Sequence, residues 1–205
     1  MDVVEVLVGV VTLAVFEGPM GVTGKLNSAA DVEIIAASPE QEPVLANMLE
    51  LYVHDFSEFM DLKLGADGRF GYKSLPLYWK ESDRYPFLVM ADGHLAGFVF
   101  VRGGSAVSDE PDVWDMAEFF IVRGLRRQRV GTQAAHEIWK RFPGKWEVRV
   151  TDRNEKARNF WDRAIGEFLG KTIEPSLVDK DGKTWHVFAF ESKASNHNCT
   201  APANP

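Results

Sequence analysis

The sequence has little of what extracellular, metal-binding or nucleic-acid-binding proteins depend on. Its single cysteine, Cys199, excludes a disulfide within the chain and a cysteine metal cluster. The five histidines include no pair at i, i+4 spacing, so we expect no metal. Lysine and arginine number 23 against 30 aspartates and glutamates, and the net charge of −7 disfavours nucleic acid as a partner. These absences are typical of a cytoplasmic protein.

The sequence also has no long hydrophobic run. The longest uncharged apolar run, Val6 to Phe16, is too short to span a membrane, so we expect no membrane association. Asp2 and Glu5 precede it, where a signal peptide would carry lysine or arginine. We interpret residues 1–30 as a leader of uncertain role. A secretion signal, an extra strand and a segment upstream of a start at Met20 are the alternatives.

Residues 31–191 alternate strand and helix patterns without internal repeats, which predicts one domain. A capping sequence at residues 38–41 predicts the start of a helix, and the Asp-Gly pairs at 92–93 and 181–182 predict hairpin turns. The predicted fold class is α/β of the α+β type, with a central mixed, mostly antiparallel twisted sheet flanked by helices. Residues 192–205 are expected to form a disordered tail.

A basic loop joins a predicted strand to a predicted helix, and its charge is opposite in sign to that of the whole chain. Backbone N–H groups and the helix dipole attract an anion to such a joint, and Gly131 leaves room for one. The loop has neither the Gly-Lys-Ser/Thr of a Walker loop nor GxGxxG, which argues against ATP and NAD folds. It predicts a phosphate or pyrophosphate site, with a solvated surface as the alternative. Its arginines are Arg123, Arg126, Arg127 and Arg129.

Two motifs resemble those of the GNAT superfamily of acyl-CoA-dependent N-acetyltransferases, and other segments resemble a bacterial subgroup of predicted acetyltransferases. Residues 126–131, RRQRVG, resemble the family's Arg/Gln-x-x-Gly-x-Gly/Ala between a strand and a helix. Residues 154–161, NEKARNFW, resemble its Asn-x-x-Ala-x-x-aromatic-Tyr motif. The resemblance covers Val32 to Phe190 and implies a single GNAT-like domain.

The resemblance implies an enzyme that moves the acetyl group of acetyl-CoA to a primary amine by direct attack in a ternary complex. Glu118, in the strand before the basic loop, is the implied general base, and Asp115 is the less favoured substitute. The alternative is a non-catalytic CoA-binding sensor or interaction module with a degenerate site. The implied partner is a small-molecule or peptide amine, and a homodimer is an open alternative.

The sequence departs from the family motifs at two positions. Arg129 replaces the first motif glycine, so its side chain either swings out or adds charge to the phosphates. Trp161 replaces a tyrosine thought to protonate the leaving thiolate, and an indole cannot serve as that acid. Main-chain groups of the strand are implied to pair with the pantetheine. The implied cofactor-binding residues are Phe119, Phe120, Ile121, Arg126, Arg127, Gln128, Arg129, Val130, Gly131, Thr132, Asn154 and Trp161.

The acceptor site is expected in the segment from Tyr52 to Trp79, which combines aromatic side chains with Asp55, Glu58 and Asp61. This mixture suits a small cationic or peptide amine. His54, at the end of a predicted helix, is interpreted either as an acid/base group or as a capping residue. All four tyrosines precede the basic loop, so any tyrosine acid must come from this half of the chain.

Overall fold

A computed structural model describes residues 30–108 and 110–193. The predicted leader and tail therefore lie almost entirely outside the described residues. The strands and helices follow one another as the sequence patterns predict. They are β1 (Val32–Ala36), α1 (Glu42–Phe56), β2 (Arg84–Ala91), β3 (His94–Gly103), β4 (Trp114–Ile121), α2 (Val130–Arg141), β5 (Gly144–Thr151), α3 (Glu155–Leu169), β6 (Ser176–Lys180) and β7 (Lys183–Ser192), with short 3-10 helices at Pro39–Gln41, Leu75–Trp79 and Arg123–Leu125.

The seven strands form one sheet in the order β1-β2-β3-β4-β5-β7-β6. Every neighbouring pair is antiparallel except β4 and β5, which run parallel. The predicted mixed, mostly antiparallel sheet is confirmed. A parallel neighbour requires a crossover connection, and α2 supplies it between β4 and β5.

Residues close together in the sequence account for the start of the first helix and for the hairpin turns. The N–H of Ser38 donates to Oε1 of Gln41 at 3.0 Å, which is one half of the predicted capping box. Asp92 and Asp181 adopt positive φ angles of 48° and 53°, as tight hairpin turns require. Strand β6 begins at Ser176, where its ladder with β7 starts with the pair Ser176 and Val187.

The sheet buries a separate apolar cluster on each face. On one face α2 and α3 contribute Ile138, Trp139 and Ile165 to a core that also contains Phe188. On the other face α1 packs Leu45 and Leu49, with Phe98, Phe100 and Phe120, against the first four strands. In the described ranges no helix is long and apolar enough to cross a membrane. The chemistry-bearing side chains described below lie on the α1 face.

Candidate active site

Strands β4 and β5 separate soon after they meet. They pair only at Trp114 with Trp146 and at Asp115 with Glu147, whereas β4 stays paired with β3 as far as Ile121. The β5 side of β4 is therefore free of ladder partners beyond Asp115. Such an edge offers main-chain groups to an extended ligand.

Alternation along β4 decides which main-chain groups face this opening. The N–H of Val122 donates to the carbonyl of Ala96 on β3 at 2.9 Å, so Phe120, two residues earlier, also turns its main chain toward β3. Phe119 and Ile121 turn theirs toward the opening. Of the three predicted pantetheine contacts, these two have main-chain groups in position to pair, although the carbonyl of Ile121 already accepts from Nε of Arg126 at 2.8 Å.

Glu118 lies at the middle of this edge, next to a β-bulge. Phe100 of β3 pairs with Glu118 and Val101 pairs with Met116, so Ala117 is the extra residue. The half-buried Glu118 carboxylate accepts hydrogen bonds from the hydroxyls of Tyr52 on α1 and Tyr72 in the following loop, the latter at 2.9 Å. Two phenols therefore fix the predicted base on the α1 face.

The electrostatics of this group suit proton transfer. Burial raises the pKa of the Glu118 carboxyl, against the opposing effects of the tyrosine hydrogen bonds and the charge of Arg149. Burial and the nearby Glu118 charge also raise the pKa values of Tyr52 and Tyr72, so both phenols stay protonated donors. A carboxylate with a raised pKa is a competent general base near neutral pH.

Asp115, the less favoured base, is enclosed in an ion-pair network. Its side chain is 1% exposed, and Oδ2 lies 3.2 Å from Nη2 of Arg102 and 3.4 Å from Nη2 of Arg149. Burial raises the pKa of Asp115 against the effect of these two arginines. Its other oxygen, Oδ1, is buried without a hydrogen-bond partner in the described part of the chain. The network leaves Glu118 as the accessible carboxylate on this strand.

The basic loop leads into α2 through two residues with positive φ angles, Arg127 and Arg129, both at 64°. The first helical hydrogen bond joins the N–H of Gln133 to the carbonyl of Arg129 at 2.9 Å. The amides of residues 130–132 therefore have no partner within the helix, and they project from its positive end. Free amides at a helix N-terminus can bind an anion, and the contact of Val130, Gly131 and Thr132 with a phosphate stays a prediction.

The arginines of the loop have different partners. Arg123 and Arg126 both bind Asp55 of α1, at 2.5 and 2.6 Å. Arg129 swings out toward α3, where its Nη2 lies 2.8 Å from Glu167. The exposed Arg127 has no ion pair within residues 30–108 and 110–193, and Gln128 donates to the carbonyl of Gly124 at 2.7 Å.

Side chains from α3 close the back of the opening. Phe119 stacks on Phe160 at 5.8 Å and meets the ring of Trp161 edge-on at 4.9 Å. A Cβ at Gly131 would come within 3.3 Å of the Phe160 ring, so glycine fits the close approach of α2 to α3. Trp161 is 6% exposed and belongs to the core of this face, and its contact with a cofactor stays a prediction.

The remaining predicted residues have structural partners. Oδ1 of Asn154 caps α3 by accepting from the N–H of Ala157 at 3.0 Å, so only its amide NH₂ is left for a ligand. In the expected acceptor segment, Asp55 is held by arginines and Oε1 of Glu58 lies 3.8 Å from Nζ of Lys156. The side chain of His54 is 72% exposed.

Sequence reasoning missed Arg102 and Arg149, and it did not connect the tyrosines with Glu118. The alternation of β5 was a usable signal for Arg149, because a charged residue between Val148 and Val150 must face the opposite side of the sheet. In the described part of the chain, no group of three or more His, Cys, Asp or Glu side chains could hold a metal ion.

The fold is that of structurally characterised acetyltransferases. An acetyltransferase from Thermus thermophilus superposes with a TM-score of 0.58 at 18% identity, over 79% of this chain and 99% of that one. The aminoglycoside acetyltransferase AAC(6')-Ib, in complex with coenzyme A, superposes with a TM-score of 0.59 at 12% identity, over 78% of this chain and 95% of that one. A spermidine N-acetyltransferase chimera from Vibrio cholerae and hSSAT gives 0.53 at 12%, over 78% and 95%.

The sequence itself identifies the family. Residues 45–166 match the model of the acetyltransferase (GNAT) family, and the chain belongs to that family. A comparison with curated protein sequences gave no match. The matched region runs from α1 into α3 and includes the Glu118 site, the basic loop and Asn154, which caps α3.

Proposed function

We propose that this chain is an N-acetyltransferase that moves the acetyl group of acetyl-CoA to a primary amine within a ternary complex. The observation that carries the proposal is a half-buried carboxylate, Glu118, held by two tyrosine hydroxyls on the strand edge where β4 and β5 separate. Coenzyme A in the complex of the similar aminoglycoside acetyltransferase supports the cosubstrate.

The residues of the site fit a CoA thioester. The open edge offers the main-chain groups of Phe119 and Ile121 to the pantetheine, and the amides of residues 130–132 face the pyrophosphate. Arg127 is the cation of the loop that has no partner in the described ranges, so it is free to meet a phosphate. Bound acetyl-CoA supplies an activated acetyl group.

The chain's own groups then promote the transfer. Glu118 accepts a proton from the acceptor ammonium, so that a neutral amine attacks the acetyl carbon. The new C–N bond forms while the amide of Ile121 stabilises negative charge on the acetyl oxygen. The C–S bond then breaks, CoA leaves as the thiolate, and the nitrogen gives up its second proton to water. A thiol with an ordinary pKa of about 8.5 leaves without an acid, which suits a site with Trp161 in place of tyrosine.

The test combines binding with turnover. Calorimetry should show that the purified protein binds acetyl-CoA, and free-thiol detection should show CoA release with some member of a panel of polyamines, aminoglycosides, amino acids and peptides. Glu118→Gln should lower kcat by about 10²- to 10³-fold and leave acetyl-CoA binding intact. The matched control is Glu33→Gln, an exposed glutamate on β1.

Failure to bind acetyl-CoA would refute the proposal outright. Tight binding without turnover of any amine would instead favour the non-catalytic CoA-binding module, for which Arg129 and Trp161 at the two motif positions are the supporting observation. Equal turnover by Glu118→Gln and the wild type would remove Glu118 as the base while keeping the reaction.

A further inference from the structure

A cationic pocket lies beside the Glu118 site and has no role in the transfer described above. It encloses about 100 Å³ between the β3–β4 loop, β5 and the β6–β7 hairpin. Its charged lining consists of Arg149, Lys180 and Lys183 with a single acid, Asp181, and the ring of Trp185 forms part of the wall. A pocket of this volume has room for a small polar group such as a carboxylate.

The two lysines favour an anion between them. Lys180 and Lys183 are directly opposite each other in the β6–β7 ladder, on either side of the Asp181-Gly182 turn. Like charges in that position repel, and an anion that contacts both removes the repulsion. Asp179, the acid on β6, accepts a hydrogen bond from the hydroxyl of Thr184 at 2.6 Å.

Arg149 has unused donors. Its guanidinium lies 3.4 Å from Asp115 Oδ2 and 5.8 Å from the centre of the Trp185 ring, but none of its N–H groups makes a hydrogen bond of good geometry in the described ranges. The side chain is 19% exposed, and it lines the pocket. An arginine with free, partly desolvated donors is suited to bind a planar carboxylate in bidentate fashion.

The strand register places this pocket next to the base. Asp115 pairs with Glu147 in the parallel β4–β5 ladder, and Arg149, two residues further along β5, reaches back to lie 3.4 Å from Oδ2 of Asp115, three residues before Glu118. The charge of Arg149 acts on both Asp115 and Glu118. One small molecule could therefore contact Glu118 with one end and the pocket with the other.

We propose that the acceptor is a primary amine that also carries a carboxylate, as an amino acid does, with its amine at Glu118 and its carboxylate bound by Arg149, Lys180 and Lys183. The inference rests on the proposed acetyl transfer and adds the acceptor class to it. It also explains why three cations border the catalytic side of a chain whose net charge is −7.

The test uses pairs of amines that differ only in the carboxylate: phenylalanine with phenethylamine, lysine with cadaverine, and γ-aminobutyrate with propylamine. For the wild-type protein, kcat/KM should be at least about tenfold higher for the carboxylate-bearing member of a pair, since charge-assisted hydrogen bonds contribute at this level. In the double variant Lys180→Gln/Lys183→Gln, kcat/KM for the carboxylate-bearing amine should fall about tenfold through a higher KM. For the amine that lacks the carboxylate, kcat/KM should not change.

A double variant of two exposed lysines elsewhere, Lys171→Gln/Lys193→Gln, is the matched control and should keep the preference. Turnover of amines without a preference for the carboxylate, or a preference that survives in Lys180→Gln/Lys183→Gln, overturns the inference and leaves the acetyl transfer standing. Turnover of no amine, despite acetyl-CoA binding, overturns the proposed function and the inference with it.

Discussion

Two regions of the described part of the chain hold a carboxylate between two arginines, and their surroundings make the two clusters behave differently. At the basic loop, Arg123 and Arg126 hold Asp55 with side chains that are 68% and 43% exposed. At the β4–β5 junction, Arg102 and Arg149 hold Asp115, which is 1% exposed. The first cluster is in contact with water, and the second is part of the sheet.

The carboxyl groups respond in opposite directions. Burial alone would raise the pKa of Asp55, but hydrogen bonds from Arg123 and Arg126 outweigh it and lower that pKa. Burial raises the pKa values of Asp115 and Glu118 in spite of their partners. The exposed Arg123 and Arg126 can thus exchange one anion for another at small cost in free energy, as a cofactor site requires. The buried arginines stay with Asp115 and stabilise its charged form.

Removing one arginine from each cluster should give the largest contrast. We expect Arg149→Met to lower the free energy of unfolding by about 3 kcal/mol, because Asp115, which is 1% exposed, keeps only Arg102 as its partner. Arg126→Met should change it by less than about 1 kcal/mol, as is usual for exposed ion pairs. Urea denaturation of both variants measures the difference, and equal losses would contradict the distinction between the clusters.

The pH dependence of stability should separate the clusters by sign. The pKa of Glu118 is higher in the folded state than in the unfolded state. Between these two pKa values the native state binds more protons than the unfolded state, so stability falls as pH rises through this range. Relative to the wild type, the free energy of unfolding of Glu118→Gln should therefore rise by up to about 1.4 kcal/mol per pH unit across this range.

Asp55 should act in the opposite sense. Its pKa is lowered by folding, so its contribution is present above the unfolded pKa and is lost as pH falls through the folded one. In Asp55→Asn the free energy of unfolding should accordingly fall less than in the wild type as the pH drops below the unfolded pKa of Asp55, and the variant should not alter the pH dependence above that pKa. Thermal unfolding followed from about pH 2 to about pH 8 tests both variants, and parallel curves for wild type and Glu118→Gln would contradict the raised pKa.

The hydrogen bonds to Glu118 give a smaller and more specific effect. Tyr72→Phe removes one donor from the carboxylate while the ring stays in place against Phe100. The pKa of Glu118 should then rise further, so the acid limb of kcat/KM moves to higher pH and the rate at neutral pH falls by about tenfold. Tyr85→Phe is the control, since that ring packs on Trp114 and Phe142 away from Glu118. An unmoved acid limb would mean that Glu118 does not titrate in it.

The sequence predicted what depends on neighbouring residues and missed what depends on packing. The turns, the strand and helix order and the basic loop follow from local chemistry, and the family of the chain was visible in two short motifs. The partners of Glu118 were not, because Tyr52 and Tyr72 lie 66 and 46 positions away and meet it only when α1 folds over the sheet.

The sequence alone left open where the side chains of Arg129 and Trp161 lie, because their positions depend on contacts with distant residues. Arg129 pairs with Glu167 on α3, a contact between residues 38 positions apart that no motif encodes. Trp161 is buried among Phe119, Phe160 and Trp139, which helical periodicity alone allows but does not require. The second partner of Asp115 was missed in the same way, because it comes from the parallel neighbour strand.

The smallest effect is expected from Asp55, which competes with an incoming anion for Arg123 and Arg126. Asp55→Asn should raise the affinity for CoA about three- to fivefold at low salt, since one unit charge a few ångströms away in water is worth about 1 kcal/mol. The gain should shrink as salt screens the site, and pantetheine, which has no pyrophosphate, should show none. Calorimetry with both ligands measures this, with Asp61→Asn in the same segment as the control. An equal gain for pantetheine would mean that Asp55 acts on the shape of the opening and not on the phosphates.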